Sequence, residues 1–219
     1  VPMPDGPYAY GTSFKTGGQQ PRFFRTPRDG GAHDMLLDGD AEAEGKPYFR
    51  LGSADHSPDH ARLLWGYDDK GSEFYDLKVR DLDTGADLAD RVADTGGSGV
   101  WAAGSDGFFY TRLDENHRPS KVLFHRLGTD TASDRLIYEE TDPGFFMNVG
   151  GTRTQDWAFV AIHDHETSEY HVLPAADPTA APKCVRPRET GVQYDLEEGG
   201  DIFFVLTNIG GAKDFKVMT

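Results

Sequence analysis

The sequence predicts an all-β fold made of four-stranded antiparallel units repeated along the chain, and three observations lead there. First, apolar runs that end in an acid or its amide recur at residues 63–68, 109–114, 159–164 and 203–208, their last residues about 46, 50 and 44 apart, a spacing that falls within the range of propeller-type repeats. Second, each run is followed by a polar turn and another apolar run starting at Glu73, Lys121, Glu169 or Lys213, the geometry of hairpins with loops of similar size. Third, 26 glycines, 12% aromatic and 37% hydrophobic residues in 219 suit a turn-rich β protein better than a helical bundle.

Taken in order, the first unit reads as Tyr8-Ala9-Tyr10, Arg22-Phe23-Phe24-Arg25 and Met35-Leu36-Leu37, with its first strand missing. The second opens at residues 48–51, turns at Ser57-Pro58-Asp59, and continues through residues 63–68 to the strand at 73–79. Between those strands, Asp69-Lys70-Gly71 supplies a short side chain that bonds its own backbone and a residue free to take positive φ, which lets the chain reverse tightly. Asp83-Thr84-Gly85 is the next turn, and a fourth strand lies near Leu88. The third unit runs from residues 100–103 through Gly104-Ser105-Asp106-Gly107 to strands at 109–114 and 121 onward, and ends at residues 135–139. The fourth comprises residues 145–149, 159–164, a strand from Glu169, and 183–186. The fifth, 192–219, stops after its third strand. The sequence is therefore read as a partial β-propeller: three complete blades (48–92, 99–140, 145–188) between two incomplete ones (8–42 and 192–219). Val1-Pro2-Met3-Pro4 reads as an internal segment. An open ring exposes two blade faces, which points to a piece of a larger object.

Composition excludes some functions. With 37 acids against 22 bases the net charge is −15, so a nucleic acid is repelled, while a cationic ligand is attracted. No apolar run is long enough to span a bilayer. The single Cys184 excludes an internal disulfide and a four-thiolate zinc site, and the expectation is a cytoplasmic protein.

Several motifs invite a chemical reading. Asp81-Leu82-Asp83-Thr84-Gly85 begins like a calcium loop, but Gly85 stands where a third ligand is needed and no glutamate closes the loop. Ala103-Gly104-Ser105-Asp106-Gly107 is one residue short of a nucleophile elbow, and a strand follows where an elbow needs a helix. His163-Asp164-His165, with Glu166, Glu169 and His171 nearby, resembles a metal cluster, yet the repeat sets residues 165–168 in a solvated hairpin tip. His125 reads as a hydrogen-bonded core or rim residue. Glu139-Glu140 and Glu197-Glu198 are neighbours on strands and point to opposite faces, so they cannot act as a facing pair across a sugar. Both read as solvated turn or edge residues. Arg186-Pro187-Arg188 and Asn116-His117-Arg118-Pro119 read as loop anchors. The doublets Phe23-Phe24, Phe108-Phe109, Phe145-Phe146 and Phe203-Phe204 recur with the units and read as packing. No residue is assigned a catalytic, cofactor-binding or metal role.

Ser57-Pro58-Asp59, the run from Leu63 to Tyr75 and Asp81-Leu82-Asp83-Thr84-Gly85 together resemble the propeller of the prolyl oligopeptidase family of serine peptidases. "GFFYTRLDENHRPSKVLFHRLGT" (107–129), "DRLIYEE" (134–140) and "GGAKDF" (210–215) narrow the resemblance to its oligopeptidase B (protease II) branch. The resemblance implies a seven-bladed propeller that caps an α/β-hydrolase domain carrying a Ser-Asp-His triad. It also implies cleavage of short peptides after arginine or lysine, no cofactor, and a propeller that gates substrates by size. No triad or basic-specificity residue of that family has a counterpart here. Two functions stay open: a non-catalytic gating portion of such a peptidase, partnered by its hydrolase domain and by short basic peptides, or an independent binding module that completes its ring by self-association.

Overall fold

The computed structural model describes all of Val1–Thr219. Eighteen strands, antiparallel at every pairing, form four sheets. The first contains β1 (Met3–Asp5), β2 (Tyr8–Phe14), β3 (Pro21–Pro27) and β4 (Asp34–Asp38) in sequence order. The second has seven strands: β5 (Arg50–His56), β6 (Arg62–Asp68), β7 (Tyr75–Asp81), β8 (Asp87–Trp101), β9 (Gly107–Leu113), β10 (Pro119–Arg126) and β11 (Arg135–Glu139). The third holds β12 (Phe146–Gly151), β13 (Trp157–His163), β14 (Ser168–Pro174) and β15 (Lys183–Arg186). The last holds β16 (Tyr194–Glu198), β17 (Phe203–Thr207) and β18 (Lys216–Met218).

Two features depart from the sequence reading. The first unit has its first strand after all: Met3–Asp5 pairs with β2, Met3 opposite Tyr10 and Asp5 opposite Tyr8. Prolines at positions 2, 4 and 7 mask it, since proline donates nothing to a ladder, but an edge strand tolerates that loss. The second departure is β8, a continuous 15-residue strand where two separate strands were expected, near Leu88 and at 100–103. It is the last strand of one unit and the first of the next. Asp94 (φ 59) and Gly97 (φ 85) bend it without breaking it, and buried Thr95 pairs with Tyr75 on one side and Arg112 on the other. The bend brings backbones together: a Cβ on Gly66 would lie 2.3 Å from the Gly97 carbonyl oxygen, so neither strand has room for a side chain there.

The core lies between successive units. Leu36 and Leu37 meet Phe49, Leu51, Leu63, Trp65 and Tyr67, while Leu64, on the opposite face of β6, joins Leu77, Val92, Trp101 and Phe108. Phe109, one residue on from Phe108, packs with Phe124, Met147, Val160 and Ile162. Neighbouring residues on a strand point to opposite faces, so a strand covered on both sides needs an apolar pair. This accounts for the doublets, with two exceptions. Phe146 (49% exposed) and Phe204 (41%) face outward. Phe204, Leu206 and Val217 form an uncovered apolar face on the last sheet.

The turns repeat their chemistry. Asp68 ends β6 and its carboxylate accepts from the backbone N–H of Lys70, Gly71 and Glu73 at 2.9, 3.0 and 2.8 Å. Asp114 does the same for Asn116 and Arg118, and Asp164 for Glu166 and Thr167. Asp81 accepts from the N–H and hydroxyl of Thr84. The acids that resemble metal loops are turn organisers.

Candidate functional site

The first strands of successive units converge, and their ends build a cleft of mixed polar and apolar lining. Asp55 and His56 on β5, Val100 and Trp101 on β8, Gln155 in the β12–β13 turn and Trp157 on β13 line about 290 Å3. Asp5, at the end of β1, ties the first unit to the rest. Its Oδ2 accepts from His56 Nε2 at 2.8 Å and from Gln155 Nε2 at 3.4 Å, a contact between residues 150 apart in the chain.

Behind Asp5 stands an aromatic stack. The Tyr10 ring lies on His56 at 3.5 Å and within 6° of parallel, and its hydroxyl shares a 2.8 Å hydrogen bond with His60 Nδ1. Burial pushes the Tyr10 phenol up to about 12, against the opposing pull of Arg25, so the hydroxyl keeps its proton. Arg25 is buried. It sits 4.3 Å from the centre of the Tyr8 ring and donates to Asp34 Oδ2 (2.9 Å) and the His60 carbonyl (2.7 Å). Loss of water pushes the His56 imidazole down from its ordinary value, though Asp5 pulls it the other way. Asp55 is exposed, yet the surrounding protein strips enough water to push its carboxyl upward. Its backbone carbonyl accepts from Trp101 Nε1 at 3.0 Å, which fixes the wall beside it.

These groups can bind and orient a polar ligand, but they make no nucleophile–base pair. Ser57 Oγ donates to Asp59 Oδ1 at 2.5 Å and accepts from the Arg62 N–H, and Ser105 Oγ accepts from the Asp59 N–H at 3.1 Å. Both hydroxyls hold turns together. No serine hydroxyl is hydrogen-bonded to a histidine anywhere in the chain.

The residues singled out in the sequence are dispersed. Ser105 sits at positive φ (56°) in a buried turn. His125 is fully buried, with Nδ1 2.7 Å from Asp134 and Nε2 3.1 Å from Asp90, a core hydrogen-bonded residue. His163 and His165 are exposed and apart from Glu169 and His171, which lie together on one face of β14. Thr167 and Ser168, expected in a solvated tip, are buried (3% and 8% exposed) because Ser168 Oγ donates to the Tyr194 carbonyl of the next sheet. The glutamate doublets are half solvated: Glu139 and Glu197 face water, but Glu140 and Glu198 are buried. Glu140 accepts from Arg188 at 2.6 Å and Glu198 from the Thr154 hydroxyl, so alternation sends one member of each pair into a unit interface. Arg188 also sits 4.1 Å from the centre of the Phe145 ring, and Arg118 donates to the Asp142 carbonyl at 3.1 Å. Both arginines anchor loops. Asp5, Tyr10, His56, His60 and Gln155 carry no local motif, and nothing in the sequence brings them together.

The whole chain, residues 1–219, matches the family described as prolyl oligopeptidase, N-terminal beta-propeller domain. Protease 2 of Moraxella lacunata is 31% identical over 226 residues, covering 100% of this chain and 33% of its own length. Dipeptidyl aminopeptidase BI of Pseudoxanthomonas mexicana is 33% identical over 192 residues, covering 87% of this chain and 26% of its own. The solved structure of oligopeptidase B from Leishmania major superposes with a TM-score of 0.93 at 29% identity, covering 99% of this chain and 32% of that one. The chain thus spans about a third or less of the length of the relatives it matches.

Proposed function

The chain belongs to the prolyl oligopeptidase N-terminal β-propeller family, and on that footing we propose that it is the substrate-gating portion of an oligopeptidase B-like serine peptidase that cuts short peptides after arginine or lysine. The observation that carries the reading is the match to oligopeptidase B over 99% of this chain and only 32% of that protein, which leaves catalysis to other segments. The geometry supports a gate. The cleft is built from strand ends of several units, and Asp55 in its wall, Asp5 hydrogen-bonded beside it and the net charge of −15 favour cationic peptides. In this reading the partner is an α/β-hydrolase domain, the compartment is the cytoplasm, and no cofactor takes part.

The test is cleavage of arginyl and lysyl peptides of graded length, by the isolated 219-residue chain and by the peptidase that contains it. The expected result is no cleavage by the chain alone, and cleavage by the peptidase that falls off with substrate size. Cleavage by the isolated chain, or equal rates on short peptides and folded proteins, overturns the proposal. A second reading, a module that completes its ring with another copy, is favoured by the uncovered face of Phe204, Leu206 and Val217. It requires a stable oligomer in sedimentation that Leu206→Asp disperses.

A further inference from the structure

Glu169 and His171 occupy alternate positions on β14, and Cys184 is the direct register partner of His171 on β15. Two residues at i and i+2 of one strand and a third opposite them on the next strand share a single face of the sheet. The register of the two strands shifts between Tyr170 and His171, as it does at a bulge. One carboxylate oxygen of Glu169, one ring nitrogen of His171 and Cys184 Sγ all lie within 4.8 Å of each other.

From this geometry we propose that these three side chains form a zinc site on the outer edge of the fourth unit. The donor set of one thiolate, one imidazole and one carboxylate suits zinc above the hard cations. The carboxylate is already held in place: Glu169 Oε2 accepts from the Arg188 N–H at 2.8 Å, which leaves Oε1 aimed at His171 Nε2, 2.9 Å away. Tetrahedral ligands each about 2.0–2.2 Å from zinc stand about 3.3–3.6 Å apart, so this hydrogen-bonded pair has only to part by about half an ångström to admit the ion. The His171 ring is braced by Tyr138, at 4.6 Å between centroids. Tyr138 also donates to Glu169 Oε1 at 3.5 Å.

The local charge agrees. Arg188 would oppose a cation, but its guanidinium is paired with buried Glu140 at 2.6 Å. With Cys184 ionised, Glu140, Glu169 and Cys184 outweigh Arg188 by two charges, which a divalent ion neutralises. On binding, the thiol S–H bond breaks, the S–Zn bond forms and the proton leaves to solvent. The imidazole proton that faces Glu169 moves from Nε2 to Nδ1. Cys184 is exposed, so the fourth vertex is open to water. The ion ties β15, a four-residue strand exposed along its whole length, to the buried body of the sheet. This departs from the sequence reading, which assigned the chain no metal.

The test is titration of chelator-treated purified protein with zinc chloride in a calorimeter. Parallel arms record the charge-transfer absorption of a cobalt–thiolate bond and the alkylation of Cys184 by iodoacetamide, followed by mass spectrometry of its peptide. The expected results are one ion per chain, a cobalt–thiolate band, and protection of Cys184 by zinc. Cys184→Ser and His171→Ala, with unchanged circular dichroism, weaken binding by at least the roughly tenfold that loss of even an outlying partner costs. The variant His56→Ala, at a separate carboxylate–histidine cluster, leaves binding unchanged. No zinc binding, binding that survives both Cys184→Ser and His171→Ala, or binding abolished by His56→Ala overturns the proposal.

Discussion

Replacing Asp68 tests whether the acids of this chain are structural turn organisers. Asp68 is 2% exposed and its two oxygens accept from three backbone N–H groups at 2.8–3.0 Å. A hydrogen bond to a charged group is worth roughly 1.5–3 kcal/mol net. The donors belong to exposed residues Lys70, Gly71 and Glu73, so water recovers part of each loss. Asp68→Ala should therefore cost about 2–3 kcal/mol rather than the full sum. Asp68→Asn keeps one accepting oxygen for Lys70 and Gly71 but turns an NH2 toward the Glu73 amide, and should cost about 1 kcal/mol. The carboxyl is pushed up by burial, yet the N–H groups of Lys70, Glu73, Ser72 and Gly71 outweigh this and hold it below the ordinary carboxylate value. Its contribution is therefore fully present above that ordinary value and is lost as pH falls through the lowered one. The assay is urea unfolding followed by tryptophan fluorescence across this acid range. A cost for Asp68→Ala within about 0.5 kcal/mol of zero, equal costs for the two variants, or a gap that widens on acidification would refute the reasoning.

Phe109→Ala, at a position 0% exposed between the third and fourth units, should cost about 3–5 kcal/mol, whereas Phe204→Ala on the uncovered face should stay within about 0.5 kcal/mol in the same assay. Gly150→Ala places a Cβ 2.2 Å from Phe159 Cζ and should cost about 1–3 kcal/mol. A double-mutant cycle with Phe159→Leu should recover much of that, since the two residues are register partners. Arg188→Met strands the buried carboxylates of Glu140 and Glu169 and should cost about 3–5 kcal/mol at neutral pH. Burial raises the Glu169 carboxyl, but His171 and Arg188 outweigh it and hold it below its ordinary value. The stabilisation that Arg188 gives is therefore lost as pH falls through that lowered value, and the difference between parent and variant in chemical denaturation should narrow on acidification.

What the sequence by itself determined was local. The hairpins, their spacing, and the acids that end the second strands follow from period-two alternation and from side chains that bond backbone two to five residues away. The doublet at Phe108 and Phe109 already implies a strand covered on both faces. Only the tertiary structure decided the rest. Met3–Asp5 is a strand because β2 offers it a partner, which its prolines alone would never predict. Glu140 and Glu198 are buried because a neighbouring unit brings Arg188 and Thr154 to them. The convergence of Asp5 with His56 and Gln155, 51 and 150 residues away, and of Cys184 with His171, depends on how units stack and how strands register. The chain's local pattern specifies each sheet face, but which residues from distant strands meet across it is set by the packing of whole sheets.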